Sequence, residues 1–311
     1  PYRRQRQMCI RDRFMSKQPI FTGSGVAIVT PFTENNEVNY PLLGELIDFQ
    51  IENGTDAIII CGTTGEGSTL THEEHAGAIQ FAVDHTAHRV PVIAGTGSND
   101  TAYAVYLSNE AEKAGVDGLL VVTPYYNKTS QAGLIRHYTY IADHVHTPII
   151  TYNVPSRTGL NIKPETYREL AKHPLIVGAK EANGDISALA KTVSFCGDNL
   201  NIYSGNDDQI TSFMSLGAKG VISVLANVAP RIAHDIAAKY LAGDTQSSRE
   251  LQIQYLDLCN DLFIDVNPIP AKEALVMMGW EVGKCRMPLA PLSDAARKQL
   301  RTTLVKHGLI K

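Results

Sequence analysis

The sequence predicts an α/β protein built as a closed (β/α)8 TIM barrel with a C-terminal helical extension. Eight short apolar segments rich in β-branched residues recur along the chain, and stretches with helical periodicity separate them. Such alternation is typical of βαβ units around a parallel sheet. Eight units within roughly 200–250 residues match a closed barrel. The alternative is an open doubly wound sheet, which needs a glycine-rich turn after its first strand. Here that strand runs into Thr30-Pro31-Phe32.

The predicted strands are apolar runs bounded by turn residues. In chain order they are Val26–Val29, Ala57–Cys61, Val90–Ala94, Gly118–Val122, Ile149–Tyr152, Leu175–Ala179, Asn201–Tyr203 and Gly220–Val224. Helical periodicity is clearest in Tyr40–Glu52, Glu73–His85, Ala102–Ala114 and Ile186–Val193. The segment Thr71-His72-Glu73-Glu74 predicts a capping box, because the hydroxyl and the carboxylate can each bond an unpaired N–H group at a helix start.

The chain divides into three parts. We expect the barrel over residues 15–244 and the helical extension over 245–311, because only helical periodicity remains after about Thr245. Within the extension, Asn267-Pro268-Ile269-Pro270 predicts the start of a helix through Ala271–Met278. Residues 1–14 carry five arginines and one aspartate in a chain whose net charge is −4. We expect them to be an extraneous, disordered leader.

Composition argues against several classes of protein. A net charge of −4 argues against non-specific nucleic-acid binding. No apolar stretch approaches the roughly 20 residues that a membrane helix requires. The five cysteines are odd in number, widely spaced and without a C-x-x-C pair, so neither a zinc site nor a disulfide framework is expected. A reducing cytoplasm is the simplest setting.

Lys180 is the strongest candidate for chemistry. It follows the apolar run Ile176–Ala179, which predicts a buried strand with a lysine at its end. An unpaired ammonium is costly to bury, and burial favours the neutral amine. A neutral amine in a dry pocket is what Schiff-base chemistry with a carbonyl substrate requires. The alternative is a lysine whose stem is buried while its ammonium reaches water.

The active site of such a barrel lies at the carboxyl ends of the strands. The glycine-rich segment Gly62–Gly67 follows the second strand and suits a carboxylate or, less well, a phosphate, since it lacks the lysine of a P-loop. Tyr152 ends the fifth strand and can exchange protons with a nearby amine, or it can simply fill the barrel top. Arg157 offers a planar fork for a carboxylate, or it is a solvated loop residue.

A metal site is not expected at this rim, because it lacks the adjacent carboxylates or histidines that a metal requires. His72 and His75 lie three residues apart on one predicted helix. Their spacing differs from the zinc motif His-Glu-x-x-His, and no third ligand is evident. We therefore interpret them as part of a solvated helix face.

Four rim motifs together resemble the dihydrodipicolinate synthase family. They are Gly62-Thr63-Thr64-Gly65-Glu66, Thr123-Pro124-Tyr125-Tyr126-Asn127, Tyr152-Asn153-Val154-Pro155-Ser156-Arg157-Thr158-Gly159 and Val177-Gly178-Ala179-Lys180-Glu181. The resemblance runs from about Phe21 to the C-terminus. It implies that Lys180 forms an iminium with pyruvate, whose enamine attacks L-aspartate 4-semialdehyde in lysine and diaminopimelate biosynthesis.

The resemblance also implies roles for individual residues. Tyr152 would donate and accept protons, and Thr63 would link it to Tyr126 of a neighbouring subunit. Thr64 and Ile222 would hold pyruvate with Gly205 nearby, and Arg157 would bind the carboxylate of the semialdehyde. The implied assembly is a homotetramer, a dimer of tight dimers, with no metal or dissociable cofactor.

A lysine-feedback site is implied at the tight-dimer interface, where the matching positions are Ser68, His72, His75, Asn99, Tyr103 and Tyr125. Tyr103 departs from the pattern, because lysine-inhibited bacterial members carry a carboxylate there. Losing that charged partner would cost about 1.5–3 kcal/mol. We therefore expect feedback inhibition to be weak or absent.

Two other functions are compatible with the sequence. One is another pyruvate-dependent aldolase or lyase of the same superfamily, acting on a sugar acid or a hydroxy-keto acid. Arg157 within Pro-Ser-Arg-Thr-Gly favours the synthase. The other is a non-catalytic barrel that binds a small carboxylate, which the complete set of candidate catalytic groups disfavours.

Overall fold

The eight strands form a closed barrel. A computed structural model describes residues 16–311, so the predicted leader 1–14 lies outside the described residues. All neighbouring strands pair in parallel and in chain order, and the eighth pairs with the first. The fold prediction is confirmed. The strands are β1 Gly23–Ala27, β2 Ala57–Ile60, β3 Val92–Gly95, β4 Gly118–Val122, β5 Ile149–Asn153, β6 Ile176–Glu181, β7 Asn201–Ser204 and β8 Gly220–Ser223.

Helices follow the strands and surround the barrel. In chain order they are α1 Tyr40–Glu52, α2 His72–Thr86, α3 Thr101–Ala114, α4 Gln131–Ala142, α5 Pro155–Thr158, α6 Pro164–Leu170, α7 Ile186–Cys196, α8 Ile210–Ser215, α9 Pro230–Leu241, α10 Thr245–Gln254, α11 Leu256–Asp261, α12 Ile269–Met277 and α13 Asp294–Lys306. The capping box at Thr71 and Glu74 is present at the start of α2. Within residues 16–311, no helix is both long and apolar enough to cross a bilayer.

Two apolar layers explain why the strands are hydrophobic throughout. Ile59 points into the barrel, where it packs with Leu120 and Ile150. Its neighbours Ile58 and Ile60 point outward and pack against the surrounding helices. Successive side chains of a strand face opposite ways, so a strand buried on both faces needs apolar residues at every position.

All strands except β4 differ by one to three residues from the predicted bounds, including the first and the sixth. The first strand begins at Gly23, three residues before the predicted Val26, because small residues there allow close packing: a Cβ on Gly25 would lie 2.6 Å from Ile59 Cδ1. The sixth strand continues to Glu181, so Lys180 is inside the strand rather than at its end. The positions of β-branched residues therefore do not by themselves predict where a strand begins and ends.

The last helices are tied to the barrel by a buried ion pair. Lys272 on α12 donates to Glu66 Oε1 at 2.7 Å, and both side chains are at most 3% exposed. The second oxygen of Glu66 accepts the backbone N–H of Arg286 at 2.8 Å. A buried charge is tolerated when it is paired and hydrogen-bonded. These contacts fix the loop after β2 against residues more than 200 positions later.

A half-buried lysine lies at the base of the barrel. The ammonium of Lys17 donates to the carbonyl oxygens of Ala171, His173 and Ile176 at 2.6, 2.6 and 2.8 Å. These carbonyls follow α6 and open β6, at the end of the barrel opposite to Lys180. An ammonium has three N–H donors, and all three are used here.

Candidate active site

Lys180 lies inside the barrel mouth between two tyrosines. Its neighbours across the sheet are Tyr152 on β5 and Tyr203 on β7. The residue is only 5% exposed, and its Nζ lies 4.3 Å from the centroid of the Tyr152 ring. Within residues 16–311, Nζ forms no hydrogen bond and no ion pair. The amine is thus buried without acceptors and is free to meet a carbonyl carbon.

A register shift between β5 and β6 creates this pairing. Ile149 lies opposite Ile176, but Ile150 lies opposite Gly178, so one residue of β6 is passed over. Without the shift, Tyr152 would lie opposite Ala179. Bulges of this kind occur next to active sites, where they redirect a side chain. The irregularity places the phenol and the amine side by side on the inner face.

Lys180 lines a cavity of about 620 Å³, here called the lysine cavity. Five of the predicted site residues meet there, namely Lys180, Tyr152, Arg157, Thr64 and Gly205. Another part of the wall comes from the segment before α12, through Phe263, Asp265, Val266 and Asn267. Ile222 is fully buried in the inner barrel layer with Tyr152 and Tyr203, below the cavity lining.

A second cavity of about 410 Å³ lies on the other side of Tyr152. We call it the tyrosine cavity, because Tyr103, Tyr125 and Tyr152 line it. Thr63, Ser68 and His75 also line it, and Arg157 borders both cavities. Tyr152 therefore separates Thr63 from Lys180.

Besides Ile222, three predicted site residues lie outside these two cavities. Tyr126 is 92% exposed, and its backbone is left-handed with φ of 67°. Asn99 lines a different cavity with Asn127. His72 is held by Tyr106, whose hydroxyl lies 2.8 Å from the His72 Nε2 atom. Only part of the predicted lysine-feedback set is thus gathered within one chain.

The prediction that His75 lies on a solvated helix face is wrong. His75 is 6% exposed rather than solvated, and its Nε2 lies 3.0 Å from the carbonyl oxygen of Gly95. Burial lowers its pKa below the ordinary value. The helix turn carries His75 inward although His72 stays half-buried at the surface. Within residues 16–311, no cluster of three or more histidine, cysteine or acidic residues could hold a metal ion.

Gly67 after β2 and Gly95 at the end of β3 allow backbone segments to approach closely. A Cβ on Gly67 would lie 2.3 Å from the carbonyl oxygen of Cys61, and one on Gly95 would lie 2.5 Å from the same atom. Glycine is required where backbones approach this closely. The tight turn presents Thr63 to the tyrosine cavity and Thr64 to the lysine cavity.

Asn267 is a site residue that the sequence analysis missed. It is 4% exposed, and its Nδ2 donates to the hydroxyl of Thr64 at 2.9 Å. Its carbonyl oxygen accepts a hydrogen bond from Arg157 Nη2 at 3.1 Å. From the sequence, the Asn-Pro-Ile-Pro segment predicts only a helix start. Its asparagine in fact fixes two predicted substrate-binding side chains.

Two buried carboxyl groups support the strand ends around Lys180. Glu181 accepts hydrogen bonds from Asn153 Nδ2, the Tyr167 hydroxyl and the Asn183 N–H. Burial nevertheless raises its pKa to about 7. Asp207 Oδ2 accepts the N–H groups of Val224 and Leu225 at 2.9 and 2.8 Å, and burial raises its pKa as well. Both groups hold backbone in place rather than facing the cavity.

Comparison with known proteins gives one family. The family model described as the dihydrodipicolinate synthetase family matches residues 20–307. The 4-hydroxy-tetrahydrodipicolinate synthase of Lachnoclostridium phytofermentans is 59% identical over 292 residues, 94% of this chain and 99% of that protein. The enzyme of the same name from Thermoanaerobacter sp. strain X514 is 56% identical over 294 residues, 94% and 99% of the two chains.

A solved structure agrees with this assignment. The crystal structure of dihydrodipicolinate synthase from Aquifex aeolicus has a TM-score of 0.91 and 46% sequence identity, and the match covers 93% of this chain and 99% of that one. With a family model over most of the chain and relatives above half identity, the chain belongs to the dihydrodipicolinate synthetase family.

Proposed function

We propose that the protein is a 4-hydroxy-tetrahydrodipicolinate synthase that condenses pyruvate with L-aspartate 4-semialdehyde in cytoplasmic lysine and diaminopimelate biosynthesis. The named relatives support this reaction. The observation that carries the mechanism is the buried residue Lys180, whose Nζ has no hydrogen-bond acceptor within residues 16–311 and lies 4.3 Å from the Tyr152 ring. A desolvated lysine of this kind is a Schiff-base nucleophile.

The reaction begins at Lys180 Nζ. The amine adds to the ketone carbon of pyruvate, and loss of water gives an iminium. The iminium withdraws electrons, so the methyl group loses a proton and an enamine forms. The enamine carbon then bonds to the aldehyde carbon of the semialdehyde, whose oxygen takes up a proton. Finally the amine of the second substrate attacks the iminium carbon, the ring closes and Lys180 is released.

Tyr152 is the proton carrier in this scheme. Its side chain borders both cavities, with Lys180 in one and Thr63 in the other. A hydroxyl relay would run from Tyr152 through Thr63 to Tyr126 of a neighbouring subunit. The exposure of Tyr126, together with the opening lined by Tyr103 and Tyr125, supports a subunit contact on this face. We propose a homotetramer built as a dimer of tight dimers.

Borohydride trapping tests the nucleophile. Reduction in the presence of pyruvate should add one pyruvate-derived group per chain, and peptide mapping should place it on Lys180. Lys180→Arg should take up none, because a guanidinium stays protonated and cannot form the iminium. Label on another lysine would overturn the assignment. Absence of any adduct would favour the non-catalytic carboxylate-binding barrel.

A coupled assay with different aldehydes tests the substrate. The synthase should consume L-aspartate 4-semialdehyde with pyruvate and release the cyclic product. Faster turnover of a sugar acid or a hydroxy-keto acid would favour another pyruvate aldolase. Mixing inactive Lys180→Ala and Tyr126→Phe chains tests the relay, because hybrid dimers should regain some intact sites if Tyr126 acts across the interface.

The same assay with L-lysine tests feedback. Ser68, His75, Tyr103 and Tyr125 line the tyrosine cavity. Tyr103 offers only a hydroxyl or a ring face to an ammonium, and a cation–π contact contributes about 0.5–2 kcal/mol. We propose weak or absent inhibition at millimolar lysine, strengthened in Tyr103→Glu.

A further inference from the structure

The lysine cavity contains one carboxylate that the scheme above does not use. Its charged lining residues are Lys180, Arg157 and Asp265. Asp265 is exposed at the cavity mouth, on the segment between α11 and α12. Two cations and one anion are more than pyruvate needs. The arrangement fits a second substrate that carries both signs of charge.

Asp265 and Arg157 line the same cavity. Arg157 Nη2 donates to the carbonyl oxygen of Asn267, two residues after Asp265. Asn267 is itself buried and donates to the hydroxyl of Thr64. The segment that carries Asp265 is therefore joined to Arg157 and Thr64 two residues further on.

The carboxylate of Asp265 is available to a ligand. Its Oδ1 accepts the N–H of the next residue, Val266, at 2.6 Å. In the part of the chain that the structure describes, Asp265 forms no ion pair. Glu181 and Asp207 differ, because both are buried and each accepts at least two hydrogen bonds from the protein.

We propose that Asp265 is a specificity-determining residue that binds the ammonium group of the acceptor aldehyde. This inference rests on the proposed function and deepens it. L-Aspartate 4-semialdehyde carries a carboxylate and an ammonium on one carbon. If Arg157 takes the carboxylate, the ammonium lies at the mouth beside a guanidinium that repels it. Asp265 supplies the opposite charge, so the pair recognises an α-amino acid and disfavours aldehydes with a second carboxylate.

Holding the ammonium also suits the order of steps. Carbon–carbon bond formation at the enamine does not involve the amine. Ring closure requires it unprotonated, and at the open mouth its proton can pass to water. Asp265 would keep the amine on the side of the iminium until then.

A comparison of two aldehydes tests the proposal in Asp265→Asn, which keeps the shape and removes the charge. Succinic semialdehyde has the same carbon chain and carboxylate but no amine, so it is the probe without an ammonium and is measured as a competitive inhibitor. The KM for L-aspartate 4-semialdehyde should rise about 10-fold, the size of a charged hydrogen bond at a partly exposed site. The inhibition constant of succinic semialdehyde and the KM for pyruvate should stay within about twofold.

Asp208→Asn is the matched control, because Asp208 is an exposed carboxylate after β7 that is not part of the cavity lining. Asp208→Asn should change neither the KM for L-aspartate 4-semialdehyde nor the inhibition constant of succinic semialdehyde. An unchanged KM in Asp265→Asn would overturn the proposal, and so would an equal loss of affinity for both aldehydes. If the unmodified protein forms the pyruvate adduct but condenses it with neither aldehyde, the proposed function fails together with this inference. If it makes the cyclic product and Asp265→Asn behaves like the unmodified protein, only this inference fails.

Discussion

The two ends of the barrel hold a lysine nitrogen in opposite ways. At the base, the Lys17 ammonium donates to three carbonyl oxygens at 2.8 Å or less. At the other end, Lys180 is buried, and within residues 16–311 its Nζ has no hydrogen-bond acceptor and lies over the face of a tyrosine ring. A lysine nitrogen with three carbonyl acceptors stabilises the fold, whereas one without acceptors is free to react as an amine. The contrast distinguishes the structural lysine from the one proposed to react.

Replacing Lys180 should have the largest effect on activity and little effect on stability. Lys180→Met removes the nucleophile while keeping an apolar stem of similar length, so turnover should fall more than about 1000-fold. Its unfolding temperature should be equal or higher, because no hydrogen bond is lost and a desolvated amine is removed. A coupled assay and thermal unfolding measure the two effects. A clear loss of stability would show that Lys180 has a structural partner after all.

Lys272 should behave in the opposite way. Lys272→Met leaves the Glu66 carboxylate buried without its cation, which costs about 3–5 kcal/mol of unfolding free energy. Denaturant unfolding measures the loss. The double variant Glu66→Gln with Lys272→Met should recover part of it, because no charge then remains buried. Equal losses in the single and double variants would assign the cost to packing instead.

Glu181, the residue after Lys180, should make the stability of the protein depend on pH. Its pKa rises from 4.5 to about 7 on folding, so the folded state holds a proton that the unfolded state releases. Its contribution to stability is fully present below pH 4.5 and is lost as the pH rises to about 7, a change of about 3 kcal/mol. Glu181→Gln cannot titrate, so its unfolding free energy should lack this slope. If the unfolding free energies of the two proteins changed with pH in the same way, Glu181 would not be the source of the pH dependence.

Lys17 should show the smallest effect. Lys17→Met leaves three carbonyl oxygens without their donor, which costs about 1–3 kcal/mol of unfolding free energy. Trapping of pyruvate on Lys180 should be unchanged, since the two lysines lie at opposite ends of the barrel. Lys113→Met is the control, because its side chain is 72% exposed, and it should change stability by less than about 0.5 kcal/mol. If Lys17→Met no longer formed the pyruvate adduct, the base of the barrel would influence the reaction at the opposite end.

Local patterns were sufficient for the barrel and for Lys180. Eight apolar runs separated by helical stretches define the topology, and a lysine in a buried strand is conspicuous in any sequence. Local sequence patterns do not predict contacts between distant segments. The one-residue shift that pairs Tyr152 with Lys180 depends on how two strands meet. Asn267 reaches Thr64 across 203 positions, and no local signal indicates it.

The Glu66–Lys272 pair has a consequence for biosynthesis. The two residues are 206 positions apart, and a ribosome makes Glu66 first. Domains fold as units as the chain emerges. The loop that carries Thr63 and Thr64 can bond early to Thr30, but it lacks the Glu66 contacts to Lys272 and Arg286 until the last fifth of the protein is made. A nascent chain can pair its strands earlier, but its catalytic end takes shape only when translation is nearly complete.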